Sequence, residues 1–298
     1  MLSKAQQYTL LGLISLIWGS QFIFTVSVLA EYTPPQIAVL RTFIGAAALS
    51  IIMWYLKEAS HCDKSTWIKL AFISLFEAVL PFMLIAYGLQ TVTTGTAAIL
   101  MGTIPVFTLI FDAVINKKSI NKTQLLGLVL GFIALLILFW QDLNLNSLLA
   151  DRSGEFAILL AAISFAFSLI LISKLPPLAP ITAARNILLI AGFLLLLLVI
   201  FLGELPHIYF SIDSIGVNCS LLFLGVFCSG FVYVLFVKLI QTAGPTFAAL
   251  TNYLVPIIAV IIGMLFAAEV LSLKLFVVLA LMICALALIE NRWPGKAK

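Results

Sequence analysis

Ten stretches of about twenty mostly apolar residues follow one another through this 298-residue chain, separated by breaks too short to hold a soluble domain. They run over 8–29, 35–56, 67–89, 93–115, 123–140, 155–173, 180–202, 217–240, 245–267 and 272–290. A helix of about 20 apolar residues crosses a hydrocarbon core about 30 Å thick, so the pattern predicts an all-α membrane protein with ten spans. Composition agrees: 63% of residues are hydrophobic and 9% charged, against roughly 45–50% and about 25% in a soluble domain. A water-soluble enzyme and a disordered chain are both excluded. Helix punctuation marks several breaks, at Thr33-Pro34-Pro35, at Pro176-Pro177 with Pro180, and at Gly244-Pro245. The first stretch is too long for a cleaved signal peptide, and no small-residue cleavage site precedes the second.

Charge orients the predicted bundle. With Lys4 in the cytoplasm, the same side collects Lys57, Lys64, Lys69, Lys117, Lys118, Lys122, Lys174, Lys238, Arg292, Lys296 and Lys298, twelve basic residues in all. The other side holds Arg152 and Lys274. Basic residues concentrate in cytoplasmic loops, so twelve against two fits an even number of spans with both termini cytoplasmic. The same residues are too scattered for a nucleic-acid footprint.

The chain also repeats itself. Residues 87–115 and 238–266 align without a gap at a shift of 151, placing Gln90-Thr91 on Gln241-Thr242, Ala98 on Ala249 and Pro105 on Pro256. Two halves follow, 1–145 and 150–298, with five predicted spans each. An odd number of spans per half turns the second copy upside down. Inverted repeats are an architecture of alternating-access carriers, whose substrate sites lie near the midplane between the repeats.

These features resemble the EamA branch of the drug/metabolite transporter superfamily. The first half carries Trp18-Gly19-Ser20, Pro34-Pro35 followed by Arg41, Leu80-Pro81-Phe82, Ala97-Ala98-Ile99-Leu100 and Pro105-Val106-Phe107. The second carries Gly154-Glu155, Ala248-Ala249-Leu250, Val255-Pro256, Gly263 and Glu269. The resemblance implies a bacterial inner-membrane carrier of small metabolites, most often an exporter, working without ATP; amino acids and their derivatives are the first substrate class it suggests. Three positions depart from the family's pattern. The family's usual tryptophan early in the sixth span is replaced around Phe165, and Met101 and Glu77 stand in place of frequent asparagines.

Glu77 is the most pointed single residue. A carboxylate at mid-span costs about 2.5–3.5 kcal/mol on insertion scales, so such groups face an interior or a water-filled cavity. It is a candidate for substrate binding and for coupling to protons, or it is a structural hydrogen-bonding carboxyl. Pro81, Pro105 and Pro256 each remove a helical donor and free the carbonyl four residues earlier, at Glu77, Met101 and Asn252. Freed acceptors at the midplane serve a polar substrate or ion; the alternative is a kink that shapes packing. Trp18, Gln21, Met101, Tyr233, Thr251, Asn252 and Tyr253 complete the candidate substrate-binding set. Tyr87 fits either the bundle or the interfacial aromatic belt, and for Arg41 and Arg185 snorkelling to the headgroups is the favoured reading.

Enzyme signatures are absent: the chain has no H-E-x-x-H, no phosphate-binding G-x-x-x-x-G-K-[ST] and no G-x-S-x-G. Cys62, Cys219, Cys228 and Cys284 show no paired spacing, and neither a metal nor a cofactor is expected. The expected function is secondary transport of a small polar or amphipathic metabolite, with lipid, substrate and protons as partners. The alternatives are a proton-independent facilitator or exchanger and a small intramembrane enzyme.

Overall fold

The computed structural model describes residues 3–58, 62–117, 119–139, 152–205, 214–249, 251–267 and 272–290, with the backbone alone at 135, 138, 139, 246, 253, 286, 289 and 290. All regular structure among them is helical. Among the described residues, eight helices are long and apolar enough to cross a membrane: α1 (Lys4–Val28), α2 (Pro34–Leu56), α3 (Lys64–Gly88), α4 (Thr94–Ile115), α6 (Ser153–Ser173), α7 (Pro180–Leu202), α8 (Ile215–Ala243) and α9 (Phe247–Phe266). The remaining two apolar helices are α5 (Lys122–Phe139) and α10 (Leu273–Glu290). Their stretches with continuously described side chains, Lys122–Ala134 and Leu273–Ala285, fall short of that length. Eight membrane-length helices therefore stand where ten spans were expected, the difference falling on the fifth and tenth stretches. The connections at 141–151 and 206–213, Glu269, and the tail with Arg292, Lys296 and Lys298 lie outside the described residues.

Local chemistry explains the helix ends. The Ser3 hydroxyl accepts from the Gln6 N–H at 3.2 Å while the Gln6 side chain accepts from the Ser3 N–H at 2.9 Å, a reciprocal cap that opens α1. Pro34 and Pro35 start α2, where missing donors cost nothing. Asp63 caps α3 by accepting from the Thr66 N–H at 3.2 Å. Gly203, with φ of +70°, closes α7, and Gly244, with φ of +87°, closes α8 ahead of Pro245.

Helix packing repeats with a period of five elements. Helix α2 packs along α7, and α5 along α10. The pairing α1–α9 matches α6–α4, α1–α8 matches α6–α3, and α2–α8 matches α7–α3. The irregularities repeat as well: each of α3 and α8 contains one wide, π-type segment, Leu75–Val79 and Val226–Phe231, beginning 151 residues apart. In α3 the widened turn stands just before Pro81, whose ring and missing N–H forbid a regular α-helical turn there. Small residues bring α2 against the widened turn of α8. A Cβ built on Gly45 would lie 2.9 Å from the Gly225 carbonyl oxygen, and one on Gly225 would lie 2.4 Å from the Ile44 side chain, a close approach that needs glycine. Around Gly12, by contrast, there is open space.

Candidate functional site

The polar groups of the bundle interior gather around the two widened turns. On α3 the turn exposes two backbone carbonyls, and each finds a hydroxyl from the other half of the chain. Tyr233 on α8 donates its O–H to the Glu77 carbonyl oxygen at 2.9 Å, and Ser164 on α6 donates to that of Phe76 at 2.8 Å. The acceptor freed by Pro81 is therefore occupied by the protein itself. A backbone acceptor left without a partner in hydrocarbon costs several kcal/mol, so these bonds tie α3 to α6 and α8.

The Glu77 side chain is fully buried. The Ser168 hydroxyl donates to its Oε2, while Oε1 has no hydrogen-bond partner among the described residues. Glu77 and Asp112 are the buried acids among the described residues, and Asp112, near the end of α4, accepts from Asn116.

Arg41 overturns its expected placement. It does not snorkel to an interface: with 1% exposure, it is the largest fully buried side chain described. The reason is geometric. The close approach at Gly45 and Gly225 brings α8 beside α2 and puts neutral acceptors of the bundle interior within hydrogen-bond reach of the guanidinium. Its Nε donates to Ser229 Oγ at 2.9 Å, and one terminal nitrogen donates to Gln21 Oε1 at 3.3 Å and to the Cys228 carbonyl at 3.5 Å. The guanidinium carbon sits 3.8 Å from the centroid of the Phe82 ring, a desolvated cation–π contact of about 2 kcal/mol. Arg185 is only partly buried and donates to Ser50 at 3.1 Å and to Asn186 at 2.8 Å.

Between these groups lies a narrow central cavity. Trp18, Gln21, Met101 and Asn252 line it, together with Phe22, Phe82, Ile104, Phe165, Leu169, Phe236 and Val255. Its volume, about 30 Å³, holds one or two water molecules. Trp18 meets Phe236 edge-on at 4.5 Å and Tyr233 at 6.0 Å, so aromatic rings close one wall. Four of the eight substrate-binding candidates thus share the cavity, while Glu77 and Tyr233 are hydrogen-bonded behind its wall. Thr251 lies deeper: its hydroxyl donates to the Ala248 carbonyl, and its own carbonyl accepts from Ser15. The Tyr253 side chain lies outside the description. The Asn252 amide donates to the Ala249 carbonyl at 3.1 Å. At Met101 the helix is interrupted by Gly102 and Thr103 before Pro105 starts its next segment, and Pro256 stands inside the helix Thr251–Phe266. Tyr87 is 44% exposed and donates to Ser153 at 3.0 Å, so it stays at the periphery. Sequence reasoning missed Ser164, Ser168 and Ser229, since hydroxyls are unremarkable in apolar helices; the need of Glu77 and Arg41 for partners was the available signal.

Two larger crevices occupy corresponding corners of the two halves. One, of about 520 Å³, lies between Thr33-Pro34-Pro35 and the end of α3 at Met83, Leu84, Tyr87 and Gln90. The other, of about 700 Å³, lies between 172–179 and the end of α8 at Ile240, Gln241 and Gly244. Glu204, on the wall of the first, accepts from the Thr33 hydroxyl at 2.8 Å. Gln241, on the wall of the second, donates to the Leu178 carbonyl at 2.9 Å.

A membrane bundle with a five-helix packing repeat, broken helices and a small polar-edged cavity is built as carriers are. The comparisons with known proteins give the family. The EamA-like transporter family model matches residues 7–140 and again 152–290, and the chain belongs to that family. It is 26% identical to the uncharacterized transporter YoaV of Bacillus subtilis over 92% of this chain and 94% of that one. It is 31% identical to an uncharacterized transporter of Buchnera aphidicola over 72% and 71% of the two chains. The uncharacterized inner membrane transporter YedA of Escherichia coli K12 is 25% identical over 92% of this chain and 87% of its own. A solved crystal structure, 14% identical, superposes over 99% of this chain with a TM-score of 0.71, a likeness of fold.

Proposed function

We propose that the protein is a secondary active transporter, working as an exporter, of small polar or amphipathic metabolites such as amino acids or their derivatives, and that it is coupled to protons through Glu77. Family membership supports transport in general, and the name of the Escherichia coli relative supports placement in the inner membrane. The bundle is read as ten spans in two inverted halves, 1–145 and 150–298, with both termini cytoplasmic. The packing repeat of five elements and the paired crevices favour that reading. The crevices serve as the two access routes and the central cavity as the substrate site in its closed form. Relatives named as transporters favour a carrier over an enzyme.

The observation that carries the coupling role is the Glu77 carboxyl: fully buried, held at one oxygen by Ser168, and at the other without a hydrogen-bond partner among the described residues. Protonated, the group is neutral and moves between access states cheaply; ionised, it favours a hydrated state or a cationic substrate. The test is uptake of a radiolabelled metabolite panel, amino acids first, into proteoliposomes with and without an imposed pH gradient. Glu77→Gln, which mimics the protonated form, is expected to abolish gradient-driven accumulation and to keep exchange at equal pH. A Glu77→Gln protein that still concentrates substrate along the gradient refutes the coupling role and leaves a facilitator or a differently coupled carrier.

A further inference from the structure

Arg41 places a standing positive charge in the bundle interior. A guanidinium stays protonated in proteins, and this one is 1% exposed. Its hydrogen bonds all go to neutral oxygens, of Ser229, Gln21 and the Cys228 carbonyl. The ionisable side chains that act on its charge are Cys228 and Tyr233, and no carboxylate among the described residues hydrogen-bonds to it. Glu77 stands on the far side of an aromatic layer: Arg41 lies on Phe82, Phe82 meets Tyr233 edge-on at 6.0 Å, and Tyr233 bonds the Glu77 backbone. Ionisable residues inside membranes are paired or serve a pathway for a partner of opposite charge.

The guanidinium lies one contact behind the lining of the central cavity. Two groups in contact with it, Gln21 and Phe82, line that cavity. The Gln21 carbonyl oxygen, at 3.3 Å, is a long and replaceable acceptor. A carboxylate in its place would make shorter, charge-assisted bonds, roughly twice as strong as neutral ones. The other walls are apolar and aromatic, with Trp18, Phe165 and Phe236.

We infer that Arg41 is the recognition group for a carboxylate-bearing substrate with an aryl or branched aliphatic body. The carboxylate displaces the Gln21 oxygen on the guanidinium, and the apolar body lies against the aromatic walls. The inference rests on the transport reading of the same cavity. Because the closed cavity holds only one or two waters, the substrate enters when one of the crevices opens onto it.

The probes are phenylacetate, indole-3-acetate and isovalerate, each against its primary amide, at fixed pH. Binding is read as the dose-dependent rise in the thermal unfolding midpoint of the purified protein. At least one acid is expected to stabilise the protein, with its amide weaker by about tenfold or more, the equivalent of one charge-assisted hydrogen bond. Arg41→Gln should erase the difference, and Arg41→Lys should keep part of it. Amides that bind as well as their acids, acids that do not bind, or a preference that survives in Arg41→Gln would each overturn the inference. Should Arg41→Gln fail to fold, the acid–amide comparison in the parent and in Arg41→Lys decides. Flux of the same labelled pairs in proteoliposomes, over protein-free vesicles, separates the two readings. An amide carried as fast as its acid overturns carboxylate recognition and leaves transport standing. An acid that binds but is never carried overturns transport and leaves recognition standing.

Discussion

Replacing Tyr233 by Phe removes one oxygen atom from the middle of the bundle and leaves the ring in place. That oxygen donates to the Glu77 carbonyl at 2.9 Å, and both residues are fully buried. The carbonyl lies in the widened turn Leu75–Val79, just before Pro81. No water replaces the lost donor in such a place, so the cost approaches that of an unsatisfied buried acceptor, about 1–3 kcal/mol. Interhelical hydrogen bonds measured inside membrane proteins average about 0.6 and reach about 1.7 kcal/mol. Full burial puts this bond at the upper end, so Tyr233→Phe is expected to destabilise by about 1–2 kcal/mol. Tyr233→Leu also loses the edge-on contacts with Trp18 and Phe82, each at 6.0 Å; at about 0.5–1.5 kcal/mol per pair, it should cost about 1–3 kcal/mol more. Equilibrium unfolding of the two variants and the parent in mixed micelles supplies the comparison. A Tyr233→Phe protein as stable as the parent would refute the account of the widened turn. Equal losses in the two variants would show that the rings contribute nothing beyond the hydroxyl.

Asn252→Ala should weaken binding of any carried ligand by about 1–3 kcal/mol, through loss of a buried polar contact at the cavity wall, while gel filtration and helicity stay those of the parent; unchanged binding would reduce Asn252 to packing. With the four native cysteines replaced, single cysteines placed at 119–121 should react from the cytoplasmic side and those at 143–153 and 205–214 from the opposite side. Periplasmic labelling at 119–121 would overturn the inverted arrangement of the two halves.

Much of the fold was legible along the chain, because the bilayer leaves little choice. Predicted stretches and observed helices agree to within a few residues over most of the chain: 35–56 became Pro34–Leu56, and 180–202 became Pro180–Leu202. The shift of 151 found between 87–115 and 238–266 reappears between the two widened turns. Site residues were legible where a rare residue type stood out against an apolar background. Glu77 and Pro81 are of that kind, and their neighbourhood holds the core's hydrogen-bonded polar groups. Arg41 was misread because its distance along the helix says nothing about what stands beside it. A guanidinium about two turns inside a span snorkels if lipid surrounds it and stays buried if another helix blocks the way, as α8 does here through Gly225.

Hydropathy, helix punctuation and repetition are properties of short segments, and a nonpolar solvent that forbids unpaired backbone groups acts on each segment separately. The helical class, nearly all of the helix bounds and the irregular backbone ahead of Pro81 and Pro105 were therefore set by the sequence alone, whereas Pro256 stands inside a continuous helix. The choice of partners was not. Tyr233 reaches Glu77 across 156 positions, Ser168 across 91, and Ser229 reaches Arg41 across 188. Such pairings depend on the distance and rotation between helices, which come from side-chain fit over whole interfaces. Tertiary structure alone decided that the acceptor freed by Pro81 is filled by a tyrosine, that one oxygen of Glu77 is left without a partner among the described residues, and that Arg41 is held inside the bundle in contact with Gln21 and Phe82 of the cavity lining.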